Sequence, residues 1–308
     1  MGMGIASAQN LLELNELGLL KNFKSVIDIG SQEIHIQKKD LKELIESAGL
    51  DAEVVENIPN VKNWPFSPRA STRHLYKILG MKDYQSIDMS GEDGAIVHDL
   101  NKPFEDSSMF NKFDIATDFG CCEHVFNISE CYKTLHKLVK PGGYLIVDQA
   151  LIKGNGYFKF DETFFEGIAS ANNYKIIFSS YVITTGEKTE NGSYYQFHIP
   201  RNYKLLDVLD YSKLGNIDKS DAIGIFVVMQ KTTNEEFKIP YQGSIYNDVY
   251  NIAGFNRIFT REPLGYTYVP SATITIAESS LTEIIKALKN WFTKKIKVAI
   301  RKIIMSIK

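Results

Sequence analysis

Phe23-Lys-Ser-Val-Ile-Asp-Ile-Gly30-Ser31-Gln32 is the stretch that decides the fold. It is a short apolar run, rich in β-branched residues and closed by glycine. A strand covered on both faces needs no polar side, so the run reads as a buried parallel strand. Working outward, Lys39–Ala48 and Ser71–Leu79 have helical spacing, and Gln85–Met89, Ala95–His98 and Phe113–Thr117 read as short strands. Ser129–Val139 is a helix stopped by Pro141-Gly-Gly143, because proline cannot continue it. Tyr144–Asp148 follows as a strand, and Asp161 is the expected N-cap of a helix over Glu162–Ala171. Ile176–Thr184 and Ile223–Met229 are further strands. Strands alternating with helices at this spacing imply a doubly wound α/β sheet.

The chain has 308 residues, 44% apolar and 23% charged, the make-up of an ordinary globular protein. Its formal charge of −2 gives no nucleic-acid footprint. Three cysteines imply no disulfide framework and a reducing, cytoplasmic setting. Neither a signal peptide nor a spanning helix is expected. The charge is unevenly spread: residues 278–308 carry eight Lys/Arg against two acids, leaving 27 basic against 35 acidic residues in 1–277. We divide the chain into a main domain over 1–233 with an insertion at 186–220, an irregular extension over 234–277, and a basic amphipathic helix over 278–308.

Ligands of an open parallel sheet bind at the carboxyl ends of its strands. There the sequence places Asp28-Ile-Gly30-Ser31-Gln32, Asp88-Met-Ser90, Asp99-Leu-Asn101 and Asp118-Phe-Gly120. A carboxylate can accept from both hydroxyls of a ribose or from an adenine amine. A dinucleotide site needs G-x-G-x-x-G ahead of a helix start that holds pyrophosphate. The first turn here has one glycine, and Glu33 at the expected helix start opposes a pyrophosphate. S-adenosylmethionine has no phosphate and carries a sulfonium cation, so acidic surroundings favour it over a nicotinamide cofactor.

The ordered set Asp28-Ile-Gly30, Asp88, Asp99-Leu-Asn101 and Leu138-Val-Lys-Pro141-Gly-Gly143 resembles the motifs of class I S-adenosylmethionine-dependent methyltransferases over residues 20–185. Gly94–Asn101, Asp118–Asn127 and Gly154–Phe160 are similar to a bacterial subgroup encoded with surface-polysaccharide or natural-product pathways. Two features depart from the pattern: the first turn lacks its second and third glycines, and Asn155 stands where the subgroup has histidine. The resemblance implies a mostly parallel, seven-stranded Rossmann-like sheet. It implies that Asp28, Gly30, Ser31 and Gln32 line the methionine end, with Asp118 to Gly120 bordering it. Asp88 would then hold the ribose hydroxyls, and Asp99 the adenine amine beside the Leu100 backbone.

His124 suits a general base because imidazole titrates near neutrality. Glu123 would orient it or bind substrate, and the alternative is that the pair merely begins the next helix. Asn155 and Tyr157 are expected at the acceptor, a hydroxyl or an amine of a small molecule, in our reading sugar or sugar-linked. No histidine pair has zinc-ligand spacing, and no metal is expected. His98 is expected in the core, and Cys121-Cys122 as packing residues. Leu281, Ile285, Leu288, Phe292, Ile296, Ala299, Ile303 and Ile307 form an apolar stripe flanked by lysines. It suits either an anionic membrane surface or docking on the acidic body or a second subunit. The rivals are a nicotinamide-dependent oxidoreductase and a non-catalytic scaffold on the same fold.

Overall fold

The computed structural model describes residues 2–58, 69–200 and 222–241. In chain order its main elements are β1 (Gly2–Met3), α1 (Ile5–Glu16), β2 (Ser25–Ile29), β3 (Glu33–His35), α2 (Lys38–Ser47), β4 (Arg69–Ser71), α3 (Arg73–Ile78) and β5 (Asp83–Ile87). They continue with β6 (Phe113–Phe119), α4 (Ile128–Leu138), β7 (Val139–Ile152), α5 (Glu162–Ala171), β8 (Lys175–Lys188), β9 (Tyr194–Pro200) and β10 (Ala222–Gln230).

Seven strands form one sheet in the order β5-β2-β6-β7-β10-β8-β9. The pairs β5–β2, β2–β6 and β6–β7 are parallel, and β10 runs antiparallel to both β7 and β8. This is the expected seven-stranded, doubly wound, Rossmann-like sheet, but mixed rather than mostly parallel, because β8 and β9 also pair antiparallel. Neighbouring residues along one strand serve opposite faces, as the pleat requires. Val26, Ile115, Ile146 and Val228 pack with Leu11, Leu41 and Tyr76 of α1, α2 and α3. Ile27, Ala116, Val147 and Val227 pack with Leu135 of α4 and Phe165 of α5. The order reverses between β2 and β6, so the crevice belongs at their carboxyl ends.

Four further expectations need correction. Gly30-Ser31-Gln32 does not open a helix: the chain enters β3, which joins β1 and β4 in a second, three-stranded sheet. Burial of Ile34 within that sheet explains the difference. The strand expected over Ala95–His98 shrinks to one bridge, Ile87 to Ile96. Cys122 and Cys131 are joined by a disulfide, and Cys121 alone is a free thiol. His98 is half-buried, with Nε2 3.1 Å from the Lys102 carbonyl and its ring edge-on to Phe104.

The Asp161 cap is present, its carboxylate accepting from Thr163 N–H. α1 carries no clear apolar stripe in the sequence. It lies against the sheet with Ser7 donating to Asp148 and Asn10 Nδ2 3.3 Å from Ser180 Oγ. Within the insertion, β9 pairs with β8. The expected extension beyond residue 241 and the helix over 281–307 lie outside the described residues. No helix among the described residues is long and apolar enough to cross a membrane.

Candidate active site

The first turn after β2 is shaped by Asp88, at the end of β5. Its Oδ2 accepts from Ser31 N–H at 2.8 Å and its Oδ1 from Ser90 N–H at 2.8 Å. Partial burial pushes this carboxyl up, but the N–H groups of Ser90 and Ser31 outweigh it and leave the group below its usual range. Each oxygen keeps a lone pair for a further donor. Gly30 has φ +83°, a left-handed conformation that a side chain would strain.

Asp28 departs from expectation. It is fully buried, and its oxygens take the hydroxyls of Thr72, Thr117 and Tyr84. Burial raises it to about 6 despite those bonds. Its carboxylate ties β2 to β6 and to α3, so it braces the turn from below. Gln32 is also fully buried: Nε2 donates to the Ile29 carbonyl at 2.8 Å, while Oε1 has no partner.

Asp118, at the end of β6, is the buried centre of the crevice. Its Oδ1 accepts from the N–H groups of Cys121 at 2.8 Å and Cys122 at 3.0 Å, fixing the turn through Gly120. Its Oδ2 is buried without a partner, as is Oε1 of neighbouring Gln149. Burial lifts Asp118 to about 7. Unpaired buried acceptors are rare because each forfeits a hydrogen bond to water. Their grouping around this crevice fits a ligand bearing a cationic amine or other donors. Gly120, at φ +75°, has open space where a side chain would stand.

Asp99 and Leu100 lie in the loop between β5 and β6. Asp99 Oδ1 accepts from the backbone and side-chain nitrogens of Asn101 at 3.0 and 2.9 Å, which holds the acid below its usual range. Leu100 is buried. Asn101 in turn binds Asn127, its Oδ1 accepting Asn127 N–H at 2.9 Å. That contact joins the Asp99 loop to the turn bearing Glu123 and His124.

Glu123 and His124 sit in a single 3-10 turn, Cys122–His124, rather than at the start of α4. Glu123 is 6% exposed, and its Oε2 accepts Ala150 N–H at 3.0 Å. Its Oε1 lies 3.5 Å from Nε2 of His124, which is 37% exposed. The disulfide pins this turn to α4 from behind. From the front it is closed by Gly156, where a Cβ would stand 2.6 Å from the Glu123 carbonyl, so only glycine fits. Phe158 N–H donates to that same carbonyl at 3.3 Å. Asn155 and Tyr157, both exposed, therefore flank Glu123 and His124. The sequence reading passed over Phe126, which is 75% exposed beside them. A large apolar residue two positions beyond His124 was the signal available.

No family model matches the chain, and no curated protein matches it. Solved structures of similar shape include a Bacillus halodurans protein with a provisional methyltransferase assignment, at 10% identity and TM-score 0.37, over 73% of this chain and 99% of that one. Another is the Burkholderia thailandensis 1,6-didemethyltoxoflavin-N1-methyltransferase with bound S-adenosylhomocysteine, at 10% identity and TM-score 0.29, over 74% and 80%. A third is the [4+2]-cyclase SpnF, at 12% identity and TM-score 0.35, over 74% and 82%. Identities and scores this low do not speak for the chemistry of this chain, which must be read from its residues.

Proposed function

We propose that the chain is an S-adenosylmethionine-dependent methyltransferase acting on a hydroxyl, or alternatively an amine, of a small molecule, a sugar or sugar-linked acceptor. The observation that carries this reading is the path of the chain after β2. It enters a strand, and the next helix, α2, begins only at Lys38. A dinucleotide pyrophosphate would find no helix N-terminus at the first turn. Acidic groups stand at the crevice instead, and they suit a cofactor that is cationic and carries no phosphate.

The residues present fit that cofactor. Asp88 would accept from the ribose hydroxyls, and Asp99 with the Leu100 backbone would meet the adenine edge. Gly30, Ser31, Gln32, Asp118 and Gly120 would surround the amino-acid end. Asp28, whose oxygens take three hydroxyls, would act by bracing the turn beneath the methionine end. Once bound, S-adenosylmethionine supplies an electrophilic methyl group and leaves as the neutral thioether.

The chain's own part is alignment and proton removal. With Nε2–H turned to Glu123, His124 Nδ1 is free to take the proton of an acceptor hydroxyl as its oxygen gains the methyl group. Buried Glu123, its Oε1 3.5 Å from Nε2, orients the ring. Asn155 and Tyr157 line the approach. The basic amphipathic segment over 281–307 would lie on an anionic membrane surface, or dock on the acidic body or a second copy. Incubating the chain with methyl-labelled S-adenosylmethionine and a panel of hydroxylated acceptors tests the reading. Label should pass to an acceptor oxygen, and transfer to none while the cofactor binds would favour a scaffold.

A further inference from the structure

We infer that Phe126, together with Tyr157, forms a specificity-determining ledge that selects acceptors whose reacting hydroxyl stands on a ring with an apolar face; the inference rests on the transfer reaction proposed above. The two rings meet edge to face with centroids 6.0 Å apart, and they are 75% and 70% exposed. Phe158 backs Phe126 at 6.3 Å. Water gains nothing from such a pair, so a fixed, exposed aromatic corner marks a place something apolar covers.

The ledge is held on one side by the Asp99 loop and on the other by the turn that bears Glu123. Asn127, next to Phe126, donates from N–H to Asn101 Oδ1 at 2.9 Å and from Nδ2 to the Asn101 carbonyl at 3.0 Å. Tyr157 lies between Gly156, which rests on Glu123, and Phe158, whose N–H donates to Glu123. Both rings thus stand beside the turn that bears Glu123 and His124.

The size of the ledge decides its occupant. Two aromatic side chains at these exposures offer about 300 Å². A protein partner needs roughly 800 Å² per side, so the area fits one small molecule. An aromatic surface takes the C–H face of a sugar or the plane of an aromatic ring through dispersion and its quadrupole. A linear alcohol covers little of it.

The test uses the full chain saturated with S-adenosylhomocysteine, with phenol and methyl β-glucoside as ring probes and glycerol as the ringless control. Saturation-transfer NMR reads binding. At least one ring probe should bind and glycerol should not; a response from the glucoside alone points to a sugar face, and from phenol alone to a flat ring. Phe126→Ala and Tyr157→Ala should each weaken the ring probe by up to about tenfold, while Phe126→Trp retains it. Affinity for S-adenosylhomocysteine should be unchanged in all three variants. Equal binding of ring probe to wild type and both alanine variants would overturn the ledge, as would no response from either ring probe. If S-adenosylhomocysteine fails to bind but the variants still lose the ring probe, the cofactor reading falls and the ledge stands.

Discussion

Asp88 and His124 divide the proposed chemistry between binding and turnover, and substitution should separate them. Removing a carboxylate that accepts two ribose hydroxyls costs about 1–3 kcal/mol, so Asp88→Ala should weaken S-adenosylhomocysteine binding by roughly ten- to a hundredfold. A folded variant with wild-type affinity would take Asp88 out of the ribose site. His124→Ala should leave that affinity alone and slow turnover by about 10²–10⁴-fold. A near-normal rate across the pH range would show that the acceptor loses its proton without His124. Asp148 makes a separate prediction about stability. Half-buried beneath α1 and near Glu123, it is raised to about 7, chiefly by desolvation, against 3.8 ordinarily. The folded chain therefore binds a proton that the unfolded chain has lost over this range. The stability contributed by the protonated group is fully present below about pH 4 and lost as pH rises toward 7. Asp148→Asn should flatten that fall and raise stability at pH 8 by about 1–3 kcal/mol, measured by denaturant unfolding at both ends of the window.

The 3-10 turn over Cys122–His124 is the element that makes the site, and it is held by neighbours on several sides. Titration of the unfolded chain with a thiol reagent should find one reactive thiol without reductant and three with it; three in both cases would disprove the disulfide. Closing so short a loop is worth about 2–3 kcal/mol, so Cys131→Ala should lower unfolding stability by that order. The turn also marks the border of what was legible in the sequence. The run from Phe23 to Gly30 showed its strand because burial on both faces leaves an apolar signature. Asp161 showed its cap because a side chain bonded two residues ahead is a local event. The bond from Cys122 to Cys131 left no such mark, since nothing in residue spacing says which thiols meet. The small β1-β3-β4 sheet escaped for the same reason: Glu33-Ile-His35 is a strand only because Gly2-Met3 and Arg69–Ser71 lie beside it. α1 was hidden because it buries Ser7, Gln9 and Asn10 as well as its apolar residues, so no apolar stripe stands out. In the site, Asp88, Asp118, Glu123 and His124 were readable as residues placed after strands. The engagement of Asp28 with three hydroxyls and the exposure of Phe126 depend on packing across the sheet.

Across the whole molecule, a mildly acidic body carries a basic, amphipathic tail sequence. Every residue proposed for the cofactor lies at or before Gly120, so deleting 279–308 should spare S-adenosylhomocysteine binding. If the tail acts as a surface tether, the intact chain should co-sediment with anionic vesicles at low salt and release as salt screens the lysines. Indifference to those vesicles would make the tail a packing or oligomer element. The central claim is that the crevice at the ends of β2, β5 and β6 holds a phosphate-free adenosyl cofactor. Isothermal titration calorimetry of the intact chain with S-adenosylhomocysteine and, separately, with NAD tests it most directly. Saturable one-to-one binding of S-adenosylhomocysteine, weakened in Asp88→Ala, with no heat from NAD, is the predicted result. Binding of NAD with no response to S-adenosylhomocysteine would contradict it.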